Sequence, residues 1–321
     1  MANKTRFPHD EFVRAIMIDL DLVRKFMRHF LTTSVLTLLD LDKIELERES
    51  YFSPDLREVI TDVTFRVPIK GQATYISFVL EHKSTGSLTG KKAFLPFQLR
   101  IQEIELMRAK QLNHPEGLVP IVRLIALVHG DHEYDGPLTV AERMEGPKQL
   151  VPPRWSNQDF ELIDLSKFAD DELSEDPKLS MFLLSLKHIY DTDIVGILRK
   201  WLSRLRELEG SQGGKNFLIS LFTYLLAGSK GEKKQEVVQF ALESFTEETG
   251  GDVMSILEAE YQEGVKEGVK EEAARAEAKA AREKEETARR MYTDGLDIAT
   301  ISNYMGLPIT ELEKLLLPKA S

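Results

Sequence analysis

Glu81, His82 and Lys83 follow directly on an apolar run, Ile76-Ser77-Phe78-Val79-Leu80. In a strand, residues two apart share a face. Glu81 and Lys83 therefore lie together and His82 lies with the apolar side. A carboxylate beside an ammonium on a strand face can hold a hard divalent cation through oxygen, with lysine stabilising negative charge on a phosphoryl group. The same two residues also suit a plain solvated strand end, so the question is whether a second carboxylate faces them.

Asp62 is the candidate. Asp62–Ile69 and Tyr75–Lys83 both read as strands, joined across Lys70-Gly71-Gln72-Ala73. With Gly71-Gln72 as a two-residue loop, glycine at the first central position suits a type II′ turn. Ile69 then faces Thr74, Val67 faces Ile76, Phe65 faces Phe78 and Val63 faces Leu80, which makes one apolar face. On the other face Arg66 meets Ser77, Thr64 meets Val79 and Asp62 meets Glu81. Like charges directly opposite each other are destabilising, and a bound cation offsets that repulsion. A slip of one residue would abolish the pairing. In this register Asp62 and Glu81 are candidate ligands for a hard divalent cation, Lys83 joins them as a catalytic candidate, and the chemistry is attack of metal-activated water on phosphorus.

The elements that must position these residues can be read around them. Apolar residues from Phe12 to Phe30 recur at three- and four-residue spacing, which predicts an amphipathic helix over 8–30. Ile44–Phe52 alternates like a strand, and Pro96–Gln111 reads as a helix with proline in its first turn. Leu118–Val128 is β-branched and apolar enough for a strand buried on both faces. His129-Gly130-Asp131-His132 follows it; imidazole with carboxylate could bind zinc or manganese, but a loop is the favoured reading. Phe160–Leu165 is a further strand candidate. The expected fold class is α/β: a mixed-sheet core in the order αβββαβ over 1–165, then an all-helical C-terminal region. Helices fill 166–257. Residues 258–290 form a long exposed helix of Ala, Glu, Lys and Arg with tandem Glu-Gly-Val-Lys repeats, either a spacer or a pairing surface for a second chain. The tail, 291–321, has a helix-turn-helix-like shape whose second helix, Ile309–Leu317, is too acidic for DNA recognition and reads as a packing or protein-contact module.

Composition narrows the class. The 321 residues contain no cysteine, which excludes disulfides, thiolate zinc sites and cysteine nucleophiles, and suits a cytoplasmic protein. No apolar run is long enough to span a bilayer. The net charge of −11 weighs against avid binding to nucleic acid. Between Lys83 and Gln111, however, basic residues (Lys83, Lys91, Lys92, Arg100, Arg108, Lys110) outnumber acidic ones (Glu103, Glu105), and a net-acidic protein can carry a basic face.

Asp62 followed by Glu81-His82-Lys83 resembles the PD-(D/E)XK nuclease signature, with Thr61 where its proline would stand. Longer stretches, "FPHDEFVRAI" (7–16), "SPDLREVITDVTFRVPI" (53–69), "LVPIVRLIALVHG" (118–130), "FELIDLSKFADDEL" (160–173) and "GLDIATISNYMGLPITELEKLL" in the tail, are similar to the Rpn family of recombination-promoting nucleases, also labelled transposase-like. The resemblance implies a restriction-endonuclease-like core and Mg²⁺- or Mn²⁺-dependent cleavage of DNA, linked to recombination or mobile elements. By position it makes Asp62 and Glu81 metal ligands and Lys83 the lysine of the E-x-K element. Family members often have glutamine there, so lysine is a departure toward the wider superfamily. The superfamily often carries a glutamine on the next helix, which points to Gln98 first and Gln102 second. His9-Asp10 matches a family "HD", making Asp10, or its neighbour Glu11, a candidate accessory acid; an N-cap on the first helix is the competing role for Asp10. Cutting both strands needs two sites, and a homodimer through the C-terminal helices would supply them. The alternative function is a catalytically inactive module that binds DNA or protein.

Overall fold

The computed structural model of the chain describes residues 8–47, 63–84, 94–113, 117–130, 132–229 and 231–316. By its contacts the chain divides into two compact units, 1–255 and 256–321.

The first unit opens with two helices, α1 (Pro8–Ile16) and α2 (Leu20–Phe30), rather than one. The break has a local cause. Asp19 takes an extended backbone and its carboxylate accepts hydrogen bonds from the Asp21 and Leu22 amides, so it caps a fresh helix. Asp10 falls inside α1, so the cap position is not its own. A short turn, α3 (Thr33–Leu36), leads to β1 (Glu45–Leu46), and Glu47 adds one more backbone bond from its amide to the Thr64 carbonyl. The rest of the strand expected to Phe52, and Asp62 with it, lie outside the described residues.

Next come β2 (Val63–Pro68) and β3 (Tyr75–Ser84). They are antiparallel, with Val63 opposite Leu80, Phe65 opposite Phe78 and Val67 opposite Ile76, the register that the apolar pattern predicts. The connection differs. The Ile69 amide bonds the Thr74 carbonyl, so the loop is the four residues 70–73, and the Gln72 amide bonds back to Ile69. That bond puts Gly71, at φ +72°, in the second central position of its turn, where a type II turn needs a positive φ.

The helix α4 (Leu95–Asn113) then crosses to β4 (Ile121–His129), which runs parallel to β3. A parallel neighbour needs such a crossover. After a short helix, α5 (Pro153–Ser156), β5 (Phe160–Asp164) adds in parallel to β4. Among the described residues the sheet has five strands in the order 1-2-3-4-5, the mixed α/β arrangement expected. Strand β4 is buried from Leu124 to His129, as its unbroken apolar run requires.

The two faces of the sheet are covered differently. On one, Leu99, Leu106 and Ala109 of α4 pack on Val79, Val122, Leu124, Ala126 and Val128. On the other, α6 (Pro177–His188) meets the sheet where its Leu186 carbonyl bonds His129; α7 (Ile194–Lys200), α8 (Leu202–Glu209), α9 (Gly214–Gly228) and α10 (Glu232–Ser244) follow it in the chain and pack with it and with one another. Phe12 of α1 ties this layer together. It stacks on Tyr224 of α9 at 4.1 Å between ring centroids and touches Phe182 of α6 at 5.6 Å.

The helix α11 (Glu247–Thr293) is longer than the stretch of biased composition. In the second unit its end packs with α12 (Ile298–Met305) and α13 (Ile309–Leu316) around Ala288, Ile301 and Leu312. Gly306, at φ +64°, closes α12 in the left-handed conformation that favours glycine. Among the described residues no helix is long and apolar enough to cross a membrane.

Candidate active site

The face of β3 under α4 carries Ser77, Val79, Glu81 and Lys83 in alternation. Glu81 is 5% exposed. A buried carboxylate must be paired or bonded, and each oxygen of Glu81 has a partner. Its Oε1 lies 2.5 Å from Lys83 Nζ, and its Oε2 accepts a hydrogen bond of 2.8 Å from Gln102 Nε2 of α4. The strand period brings Lys83 to Glu81, and the crossover helix brings Gln102 over them.

Gln102 is only half satisfied. Its Oε1 is buried and has no hydrogen-bond partner among the described residues. An unpartnered amide oxygen beside a buried carboxylate oxygen is a donor set for a hard cation, which takes oxygen ligands. The residues present therefore fit a divalent metal, with Glu81 as ligand and Gln102 Oε1 beside it. Among the described residues no group of three or more His, Asp or Glu side chains could hold a metal by itself. The second expected ligand, Asp62, lies outside the described residues.

Gln98, by contrast, is exposed and lies outside this group, so of the two glutamines it is Gln102 that reaches Glu81. The side chain of Asp10 lies outside what is described, and Glu11 is exposed.

A second polar group on the same face is not evident from the sequence. Glu47, next to β1, forms an ion pair with Lys110 near the end of α4 and accepts a hydrogen bond of 3.2 Å from Ser77 Oγ. Lys110 is 4% exposed, rare for lysine. Its ammonium lies 5.3 Å from the Tyr75 ring centroid, and the Arg66 guanidinium lies 3.8 Å from it. Glu47 and Lys110 thus join the first strand to the helix that carries Gln102. Strand parity could have flagged Ser77, which shares the face of Glu81. Nothing local marks Lys110 as buried.

On the opposite face His82 stacks on His129 of β4, with ring centroids 5.6 Å apart and planes 10° from parallel. His9 of α1 approaches His129 at 5.2 Å and shares hydrogen bonds with Tyr224 (2.7 Å) and Tyr190 (2.8 Å). His129 Nδ1 bonds the Leu186 carbonyl of α6 at 3.0 Å. Burial, helped by His82 and His9, lowers the His129 pKa from 6.5 to about 3, so the ring is neutral and Nδ1 donates. This group knits the sheet to its helices and leaves the Glu81 face to α4.

The mixed sheet, with a buried glutamate and a lysine on one strand face and a glutamine reaching the glutamate from the crossover helix, defines an α/β protein with a polar site on a strand face. The comparisons make this specific. Residues 7–215 match the family described as "Putative transposase, YhgA-like". Recombination-promoting nuclease RpnA of Escherichia coli K12 is 24% identical over 306 residues, 95% of this chain and 96% of that protein. Recombination-promoting nuclease RpnC of the same strain is 25% identical, covering 80% of this chain and 81% of the relative. The inactive recombination-promoting nuclease-like protein RpnE is 26% identical, covering 69% and 71%. No solved structure matches significantly. The chain belongs to the YhgA-like transposase family, the family of the Rpn recombination-promoting nucleases.

Proposed function

We propose that the protein is a metal-dependent DNA endonuclease of the PD-(D/E)XK type, acting in recombination or on mobile elements. The observation that carries this reading is Glu81, buried and held between Lys83 and Gln102. The relatives RpnA and RpnC are named as nucleases.

In this reading Glu81 and Asp62 hold Mg²⁺ or Mn²⁺. The bound cation supplies Lewis acidity at a phosphoryl oxygen and a lowered pKa for a coordinated water. Lys83 stabilises the negative charge that builds up on the phosphate oxygens as water adds. Gln102 fixes the Glu81 carboxylate through Nε2 and presents its amide oxygen to the same space. The strand holds Glu81 and Lys83 rigidly, so little reorganisation is needed when charge develops.

The existence of a relative named as inactive makes the alternative concrete: a fold that keeps its shape and binds DNA or protein without cutting. Plasmid nicking with Mg²⁺ separates the two. The wild type is expected to nick, and Asp62→Ala, Glu81→Ala and Lys83→Ala are each expected to abolish it with unchanged circular dichroism. A wild type that binds plasmid but never nicks it with Mg²⁺ or Mn²⁺ establishes the alternative.

A further inference from the structure

The helix α4 has two apolar sides. Its inner side packs on the sheet. Its outer side exposes Phe97 (46%), Ile101 (40%), Ile104 (53%), Met107 (38%) and Leu112 (58%). An apolar stripe of that length on one helix is a mark of an interaction surface. It also carries two charges, Glu105 and Arg108, both exposed. They stand three residues apart, a spacing at which they could pair with each other. Neither makes a hydrogen bond or ion pair with any described residue.

We infer that this outer side of α4 is the surface on which a second copy of the chain docks, antiparallel and two-fold symmetric. A two-fold interface must be complementary to itself, with residue i meeting j and j meeting i. The stripe meets that condition. With the axis passing between positions 106 and 107, Ile101 lies against Leu112 of the partner and Glu105 against Arg108 of the partner, and each contact occurs twice. Ile101, Glu105, Arg108 and Leu112 follow one another at spacings of four, three and four, the seam that lets antiparallel helices interlock. The acid and base that have no partner among the described residues of one chain complete each other in two.

The consequence for the site follows from the inner side of the same helix. Gln102 touches Glu81 and Lys110 pairs with Glu47, so pairing through α4 fixes two sites in one rigid arrangement about a two-fold axis. Duplex DNA has matching two-fold symmetry, which dimeric DNA-binding proteins exploit. The surface itself does not depend on the cleavage reading, because it is tested by mass and the reading by nicking.

Sedimentation velocity of the full chain tests it. The wild type is expected to be a dimer at micromolar concentration. Glu105→Arg and Arg108→Glu each put like charges in contact and are expected to weaken the dimer about tenfold or more. The double variant Glu105→Arg with Arg108→Glu restores opposite charges and is expected to restore the dimer. Circular dichroism checks that the variants remain folded. A monomeric wild type overturns the inference. So does a dimer that neither single reversal weakens, or one that the double variant fails to recover.

Discussion

Gln102 Nε2 donates a 2.8 Å hydrogen bond to Glu81 Oε2, while the other atom of the same amide, Oε1, is buried without a partner among the described residues. A glutamine that served only to satisfy Glu81 would not need to bury an idle acceptor, which costs about 1–3 kcal/mol. The arrangement makes sense when Oε1 faces a cation that accepts its lone pair. Gln102→Ala is expected to weaken Mn²⁺ binding about 10- to 100-fold, the usual effect of removing a group that orients a metal ligand. Gln98→Ala, on the exposed side of α4, is expected to leave binding unchanged. Calorimetric titration with Mn²⁺ checks both, and equal affinities in the wild type and Gln102→Ala would remove Gln102 from the site.

Glu81 and Lys83 should separate by measurement despite their contact. Glu81→Gln removes the ligand charge and is expected to abolish Mn²⁺ binding. Lys83→Met is expected to leave Mn²⁺ affinity within a fewfold of the wild type while lowering the single-turnover cleavage rate about 10²-fold or more, as loss of a transition-state charge partner does. If Lys83→Met instead lowers Mn²⁺ affinity and rate in step, lysine acts by holding Glu81 in place, through the 2.5 Å contact, and not on the phosphate.

The Glu47–Lys110 pair is buried on both sides, at 6% and 4% exposure. Removing one partner of such a pair costs about 3–5 kcal/mol, because the other charge keeps its desolvation penalty. Lys110→Met is expected to lower stability by that order in urea unfolding. Combining it with Glu47→Gln is expected to recover part of the loss. If the double variant is less stable than Lys110→Met, Glu47 contributes chiefly through Ser77 and its other neighbours.

Much of this architecture is legible in the sequence, and what is missed has a common cause. The β2–β3 register follows from alternation alone, because a slip of one residue would turn Phe65, Val67, Phe78 and Leu80 to the wrong face. The same parity puts Glu81 with Lys83. The break between α1 and α2 is harder, since the apolar spacing runs on through Asp19 and only the capping geometry shows the interruption. The choice between Gln98 and Gln102 depends on how α4 is rotated over the sheet, and both lie on neighbouring helix turns. The burial of Lys110 rests on Glu47, 63 residues earlier, a contact that no local pattern records.

Acid should act on the protein through His129. The ring is fully buried, and the groups facing it are His82 of β3, His9 of α1 and the Leu186 carbonyl of α6. Burial, then the two other imidazoles, hold its pKa at about 3 against 6.5 in the unfolded chain. Between these values the unfolded state binds a proton that the folded state does not, so stability rises with pH through the window and falls as pH drops below 6.5. This group's share is at most about 1.4 kcal/mol per pH unit. His129→Phe removes the proton-binding group, and its stability is expected to fall less steeply than that of the wild type between pH 6.5 and 5. Urea unfolding midpoints at those two values measure the difference. Parallel pH dependences in the two proteins would mean that His129 is not held neutral in the folded state.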